Sequence, residues 1–233
     1  MKKLDCLHRA CFREMIEHMN TDQLIKLTQH RRSVRVYKSG KVSDPQLETI
    51  LEAARWAPSG ANTQPWEFVI TRDRKKMKRV REIYANEWRQ RKMEDPVHYK
   101  GIKKDYVGDV SVLVLVCGDP RTKLVYLTTR QPSDREKLFQ ASIANAVEQM
   151  MLAAASMNLG TVWVSVREEV ELELRELFKV PNDLRLLWVV PIGHARSWPK
   201  AKRRRSVSSF THYETYDNNK LRRESDIRAW PKS

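Results

Sequence analysis

Apolar residues recur along this chain in two rhythms, one helical and one strand-like, and the changes of rhythm mark its elements. Leu4, Leu7, Phe12, Met15 and Met19 make one apolar stripe, which predicts an appended N-terminal helix before Thr21. Asn20-Thr21-Asp22 reads as the cap of a short helix over residues 23–29. Ser43-Asp44-Pro45 opens the next, with proline in the first turn, where its missing N–H does no harm. Leu47, Ile50, Leu51, Ala54 and Trp56 repeat at helical spacing there and are expected in the core. Residues 66–71 read as a strand, and residues 73–91 as a charged helix with Met77, Val80, Ile83, Tyr84 and Trp88 on its less polar side. Residues 92–109, with Pro96, Gly101 and Gly108, have no period and suggest a mobile lid.

The second half continues in the same way. Residues 110–117 are a β-branched apolar run, as in a strand buried on both faces. A long helix from near Asp134 to Met157 carries Leu138, Ala141, Ile143, Ala144, Val147, Met150, Met151 and Ala154. Its low polarity nearly all round suits burial in the domain and across a dimer interface. Leu159-Gly160 is expected to end it, followed by a strand over 161–166, an amphipathic helix over 168–180 and a strand over 186–192 ending at Pro191-Ile192-Gly193. Helices and strands alternate irregularly without repeat or linker, which predicts one α+β domain.

Composition narrows the class. At 233 residues, with 41% hydrophobic and 31% charged residues and a mean hydropathy of −0.64, the chain can build a buried core, and no apolar run approaches a membrane span. The opening Met-Lys-Lys-Leu-Asp-Cys lacks a secretory apolar stretch, so the expected location is cytoplasmic. A net charge of +15 raises nucleic acid or an acidic membrane as partners. The basic residues are spread along the chain rather than gathered in a reading element, which favours an enzyme whose anionic ligands are phosphates. Cys6, Cys11 and Cys117 form no metal or disulfide pattern, Cys117 reads as a buried small hydrophobe, and no two histidines share metal spacing. There is no Gly-x-Gly-x-x-Gly turn or Gly-x-x-x-x-Gly-Lys loop, so a nicotinamide donor would visit rather than reside.

Candidate chemistry sits in three places. Arg31-Arg32-Ser33-Val34-Arg35 supplies three guanidiniums and a hydroxyl within five positions, a set that matches phosphate oxygens. Ala57-Pro58-Ser59-Gly60-Ala61-Asn62-Thr63-Gln64-Pro65-Trp66 is a turn whose prolines limit chain freedom and whose Gly60 lacks a Cβ, so backbone and short amides can approach a flat, polar-edged ligand. Lys202-Arg203-Arg204-Arg205 adds cations near the far end. A solvated basic turn and an ordinary loop remain the plain alternatives for the first two.

In that order the pieces resemble the nitroreductase-like flavoprotein family, from about Leu24 to Tyr213. The resemblance implies a nitroreductase-like fold, with a central mixed sheet flanked by helices, in an intertwined homodimer that binds FMN. The expected organisation is a nitroreductase-like domain over residues 21–214, with the helical extension over 1–20 and a polar tail over 215–233 that lies over a partner surface or is partly disordered. Arg31, Arg32, Ser33 and Arg35 would hold the phosphate and ribityl side, completed by Lys202 and Arg204; the family's proline after that pair is Ser206 here. Pro58, Ser59, Gly60, Asn62 and Gln64 would come from the central loop, which in the family commonly reaches the other subunit's flavin. Val164 and Ser165 match the segment that passes the flavin N5, often with glycine where Ser165 stands, and a serine there could stabilise a one-electron state.

The implied activity is ping-pong transfer from NADH or NADPH through FMN to a small oxidised acceptor such as a nitroaromatic or quinone. The central loop and the helix after Asp73 are also similar to the reductive dehalogenase branch acting on halogenated tyrosines. That branch clasps its substrate with a Glu, a Tyr and a Lys, which find no clean match between Glu82 and Lys104. A non-catalytic basic binding protein that retains the fold is the third reading.

Overall fold

A computed structural model describes residues 20–97, 99 and 105–230. The expected N-terminal helix with Cys6 and Cys11, and the middle of the expected lid, lie outside the described residues. Those residues fall into two compact units, one ending at Pro199 and one beginning at Lys200.

In the first unit, α1 (Thr21–His30) is capped by Asn20, whose side chain accepts from Asp22 N–H, and α2 (Asp44–Arg55) by a capping box of Ser43 and Gln46. Strand β1 (Trp66–Thr71) leads to α3 (Arg74–Glu94), capped by Asp73, and then to β2 (Val112–Gly118). Helix α4 (Pro132–Ser156) precedes β3 (Leu159–Thr161), β4 (Val164–Ser165), α5 (Glu168–Phe178) and β5 (Arg185–His194).

The sheet runs β1-β2-β5-β3, with β4 also on β5, and all its strand pairings are antiparallel. The mixed sheet that the resemblance implied is thus an antiparallel one among the described residues, and the parallel pairing they contain is an isolated bridge between Ser33 and Thr161, outside the named strands. Both faces are covered. Leu113, Leu115 and Cys117 point to a core shared with α3 and α5, while Val112, Val114 and Val116 point to one shared with α2 and α4. That explains why β2 reads as an unbroken apolar run. Cys117 is fully buried, which pushes its thiol up to about 11, so it is packing rather than a nucleophile.

Four expectations need correction. Trp56 is 73% exposed rather than core, because α2 stops at Arg55 and two steps past Ala54 turn the side chain away from the buried face; its indole donates to Glu52 instead. Helix α4 ends before Leu159-Gly160: Asn158, at φ 58°, makes the left-handed turn, and Gly160 is already in the sheet. The single strand over 161–166 is two short ones, yet Thr161↔Ile192 and Val164↔Val189 keep one register, so only Val162 and Trp163 drop out of the ladder. The last strand continues through Pro191 to His194.

The N-terminal end of α4 is tied to the sheet by Glu136, which accepts from Lys123 Nζ at 3.0 Å and Arg185 at 2.6 Å. Burial alone would raise this carboxyl, but its bonds from Gln140, Lys123 and Arg185 hold it at about 2. Its folded value therefore lies below the ordinary 4.5, and its contribution is complete above that pH and disappears as pH falls towards 2. Glu136→Gln should cost on the order of 1 kcal/mol at pH 7 and progressively less below pH 4. Denaturant titrations of both proteins at pH 7 and pH 3 check this, and an equal cost at the two pH values would refute it.

In the second unit, Lys200 onwards, two short 3-10 turns (Val207–Ser209 and Asn218–Lys220) precede α6 (Glu224–Ala229). His212 stacks on Tyr216 at 4.1 Å, and the Arg203 guanidinium lies 4.8 Å from the Trp230 ring centre. The stretch expected to be partly disordered thus carries regular turns as far as Trp230.

Candidate functional site

The basic run after α1 is held against the sheet by its small and apolar members. Val34 is fully buried and donates its N–H to Thr161 O at 2.9 Å, while Tyr37, 7% exposed, bridges Ala195. Alternation then leaves Ser33 half-buried and Arg35 exposed. Arg31 Nε sits 3.4 Å from Glu148 of α4. Arg32 turns back on the carbonyls of Gln29 and Arg31 at the end of α1, and its buried Nε has no partner. Arg35 makes one long bond, 3.3 Å, to Ser33 O, and the Ser33 hydroxyl has no partner among the described residues. Guanidiniums with spare donors beside a free hydroxyl and an orphaned buried N–H fit a phosphate-bearing group.

The edge strand carries the second element. Val164 is buried, whereas Ser165 points out and is exposed, with no hydrogen-bond partner for its hydroxyl among the described residues. Thr161, beside Ser33, is four residues from Ser165 on this edge, a span of roughly 13 Å at strand spacing.

The central loop rests on α4. Ser142 Oγ accepts from Gly60 N–H at 3.0 Å, and Asn145 Nδ2 donates to Pro58 O at 3.1 Å. Ser59 Oγ accepts from Gln64 N–H at 3.0 Å, and Gln64 Nε2 bonds the Asn62 side chain at 3.3 Å. Asn62 and Gln64 stay exposed. Positive φ falls on Ala61 (49°), Asn62 (52°) and Gln64 (46°) rather than on Gly60. The glycine serves another need: a Cβ there would meet Leu138 Cγ at 2.6 Å. Three strained non-glycine residues in four positions mark a loop whose shape is imposed by its supports.

Asn145, under the loop, and Glu148, at Arg31, are one helical turn apart on α4, so this helix brings loop and basic run together within one chain. Sequence reading missed Ser142, Asn145 and Glu148. The available signal was a polar stripe at i, i+3 and i+6 on an otherwise apolar helix.

Lys202 and Arg204 belong to the second unit and are exposed. Arg204 bonds the carbonyls of Lys202 at 3.1 Å and Arg203 at 3.3 Å, and it lines a cavity of about 520 Å³ with Arg203, Arg205, Lys220, Arg222 and Trp230. Of the expected lid, Lys92 to Glu94 extend α3, and Asp105–Gly108 is a 3-10 turn followed by buried Val110. Glu87, on α3, is buried between Arg91 at 2.9 Å and Arg167 at 2.7 Å and ties that helix to the start of α5. Among the described residues no acidic, histidine or cysteine cluster could hold a metal, and no helix is long and apolar enough to cross a membrane.

The nitroreductase family profile matches residues 28–194, a stretch that includes the basic run, the central loop and Ser165. Over 177 residues the chain is 30% identical to an NADH dehydrogenase/NAD(P)H nitroreductase of Archaeoglobus fulgidus, covering 75% of this chain and 87% of that one. It is 29% identical over 185 residues to an iodotyrosine deiodinase of Thermotoga neapolitana, covering 77% and 91%. Its fold is similar to that of the NADPH:FMN oxidoreductase of Vibrio harveyi, solved with NAD+, at a TM-score of 0.68 and 20% identity over 89% of this chain and 83% of that one. With the match spanning well over half of its length, the chain belongs to the nitroreductase family.

Proposed function

We propose that this protein is an FMN-dependent oxidoreductase that moves reducing equivalents from NADH or NADPH to a small oxidised acceptor such as a nitroaromatic or quinone. The observation that carries the reading is the edge of the sheet, where the basic run, with lightly bonded Arg35 and Ser33, is bridged to Thr161 on the segment that leads to the exposed Ser165. Arg31, Arg32, Ser33 and Arg35 would hold the phosphate and ribityl chain, with Lys202 and Arg204 closing on the phosphate. Pro58, Ser59, Gly60, Asn62 and Gln64 would border the ring, and Val164 and Ser165 its reactive edge. FMN supplies the hydride chemistry when bound; the protein supplies placement, charge and donors. Donor and acceptor would use one face in turn, in a ping-pong cycle in the cytoplasm.

The working form in this reading is a homodimer. Trp56, Leu124 and Leu127, 73%, 74% and 83% exposed, are apolar side chains that a partner subunit could cover. Sedimentation of the purified protein at micromolar concentration should show a flavin-loaded dimer; a flavin-loaded monomer rejects this part. Denaturation should release FMN and no FAD, and NAD(P)H oxidation should become acceptor-dependent on addition of a nitroaromatic. A colourless protein that takes up no FMN rejects the oxidoreductase and leaves a basic binding protein.

The likeness to a deiodinase supports a second reading, reductive dehalogenation of a halogenated aromatic. Ser165 is the residue in question, since its free hydroxyl could donate to the flavin N5 and then accept from N5–H. Ser165→Ala should lower the one-electron yield in anaerobic photoreduction with a halogenated tyrosine present. An identical yield in both proteins would return the function to two-electron reduction.

A further inference from the structure

At the opposite end of the sheet from the central loop lies a second concave, basic site. The loop precedes Trp66, whereas the cavity is built where β1 leaves the sheet and β2 enters it, six strand residues or roughly 20 Å away. It has a volume of about 480 Å³, within the range of small-molecule pockets. Three chain segments bring cations to it, Lys38 and Lys41, Arg72 and Arg74, and Arg196, and a fourth, from Asp109, contributes the one lining carboxylate.

Four of the five lining cations have no ion-pair partner among the described residues. Arg72 pairs with Asp44 and bonds Val42 O at 3.0 Å, but its buried Nε has no partner. Arg74 reaches Val110 O at 3.3 Å. Lys38, Lys41 and Arg196 are exposed and form no ion pair among the described residues. Convergence of like charges around one concavity costs folding free energy through repulsion and creates a strongly positive field, which an anion with several charges would relieve. Tyr37, the aromatic ring at this site, is buried and donates its hydroxyl to Val34 O at 2.8 Å, so no ring is presented for stacking a base.

We propose that this cavity, which begins two residues beyond Arg35 at Tyr37, binds an oligophosphate chain, free or carried on a nucleotide, beside the proposed flavin phosphate site and not in place of the flavin. Arg74 and Arg196 would grip phosphate oxygens through their guanidiniums, Lys38 and Lys41 would neutralise the remaining charge as mobile cations, and Arg72, held by Asp44 and Val42 O, would form the wall of the site. The concave shape, rather than an extended basic stripe, selects a compact ligand over a nucleic-acid backbone.

The test is calorimetric titration of the full chain, as purified, with sodium tripolyphosphate, with ATP and with a single-stranded DNA 20-mer at low salt. The expected result is one saturable tripolyphosphate site per chain, weakened by high salt and by about tenfold or more in Lys38→Ala/Lys41→Ala/Arg196→Ala. These three side chains are exposed, so the variant should keep the wild-type circular dichroism and flavin content. Tighter binding of ATP than of tripolyphosphate assigns the site to a nucleotide, and equal binding assigns it to the phosphate chain alone. A folding failure of the triple variant is met by Lys41→Ala/Arg196→Ala, with the same expectation at smaller size. Absence of saturable binding, undiminished binding in the variants, displacement of FMN by the anion, or tighter binding of the DNA would each overturn the proposal.

Discussion

Replacing Arg31 and Arg35 together by alanine should strip FMN from the protein. A charge-assisted hydrogen bond contributes about 1.5–3 kcal/mol, so each site should lose tenfold to hundredfold in affinity. Arg31 carries a further consequence, because its Nε is 3.4 Å from Glu148. Its removal leaves that carboxylate facing the place intended for a phosphate, which pushes the loss at this position towards the upper end. Glu148→Gln should then recover part of the affinity lost in Arg31→Ala, while having little effect alone. Arg35 is exposed and lightly bonded, so its change should leave stability within about 0.5 kcal/mol and act on the ligand alone. Fluorescence titration of apoprotein with FMN measures both arms. Full flavin retention by the double variant would reject the basic run as the phosphate site.

The basic run and the central loop were legible in the sequence because their chemistry is local. Three arginines and a serine within five residues, or two prolines around amides, announce themselves without a fold. The elements they sit on were legible for a related reason: capping residues act over three or four positions, and Asn20 caps its helix and Ser43 opens the next as expected. What sequence could not reveal is what supports them. Gly60 looks like a residue chosen for its freedom to turn, but its neighbours carry the positive φ and its own role is to let Leu138, 78 positions away, come close. Ser142, Asn145 and Glu148 looked like tolerated polar residues on a core helix until the loop and Arg31 were seen to rest on them. The basic cavity was invisible for the same reason, since its cations come from three separate stretches.

Gly160→Ala should damage flavin binding without touching the flavin. Gly160 pairs with Gly193 in β3 and faces Val34, and an added Cβ would lie 2.8 Å from Val34 Cβ and Cγ1 and 2.9 Å from Cγ2. All three contacts are on one short β-branched side chain that is fully buried and has no alternative space. The strand must therefore yield, or the segment carrying Val34 must move out, stretching the 2.9 Å bond from its N–H to Thr161 O. Overpacking of this kind costs about 1–3 kcal/mol, which for a chain of this size lowers the melting temperature by roughly 2–12 °C. Ser33 flanks Val34 on the side of Arg31 and Arg35 follows it, so the displacement is passed directly to the proposed phosphate ligands. FMN affinity should fall together with stability. Val34→Ala in the same chain removes two of the crowded methyl carbons, and the double variant should recover both quantities beyond the sum of the single changes. Melting curves and FMN titrations of the four proteins complete the cycle. An unchanged melting temperature in Gly160→Ala, or additive effects in the double variant, would show that the basic run is held in place by something other than its contact with β3.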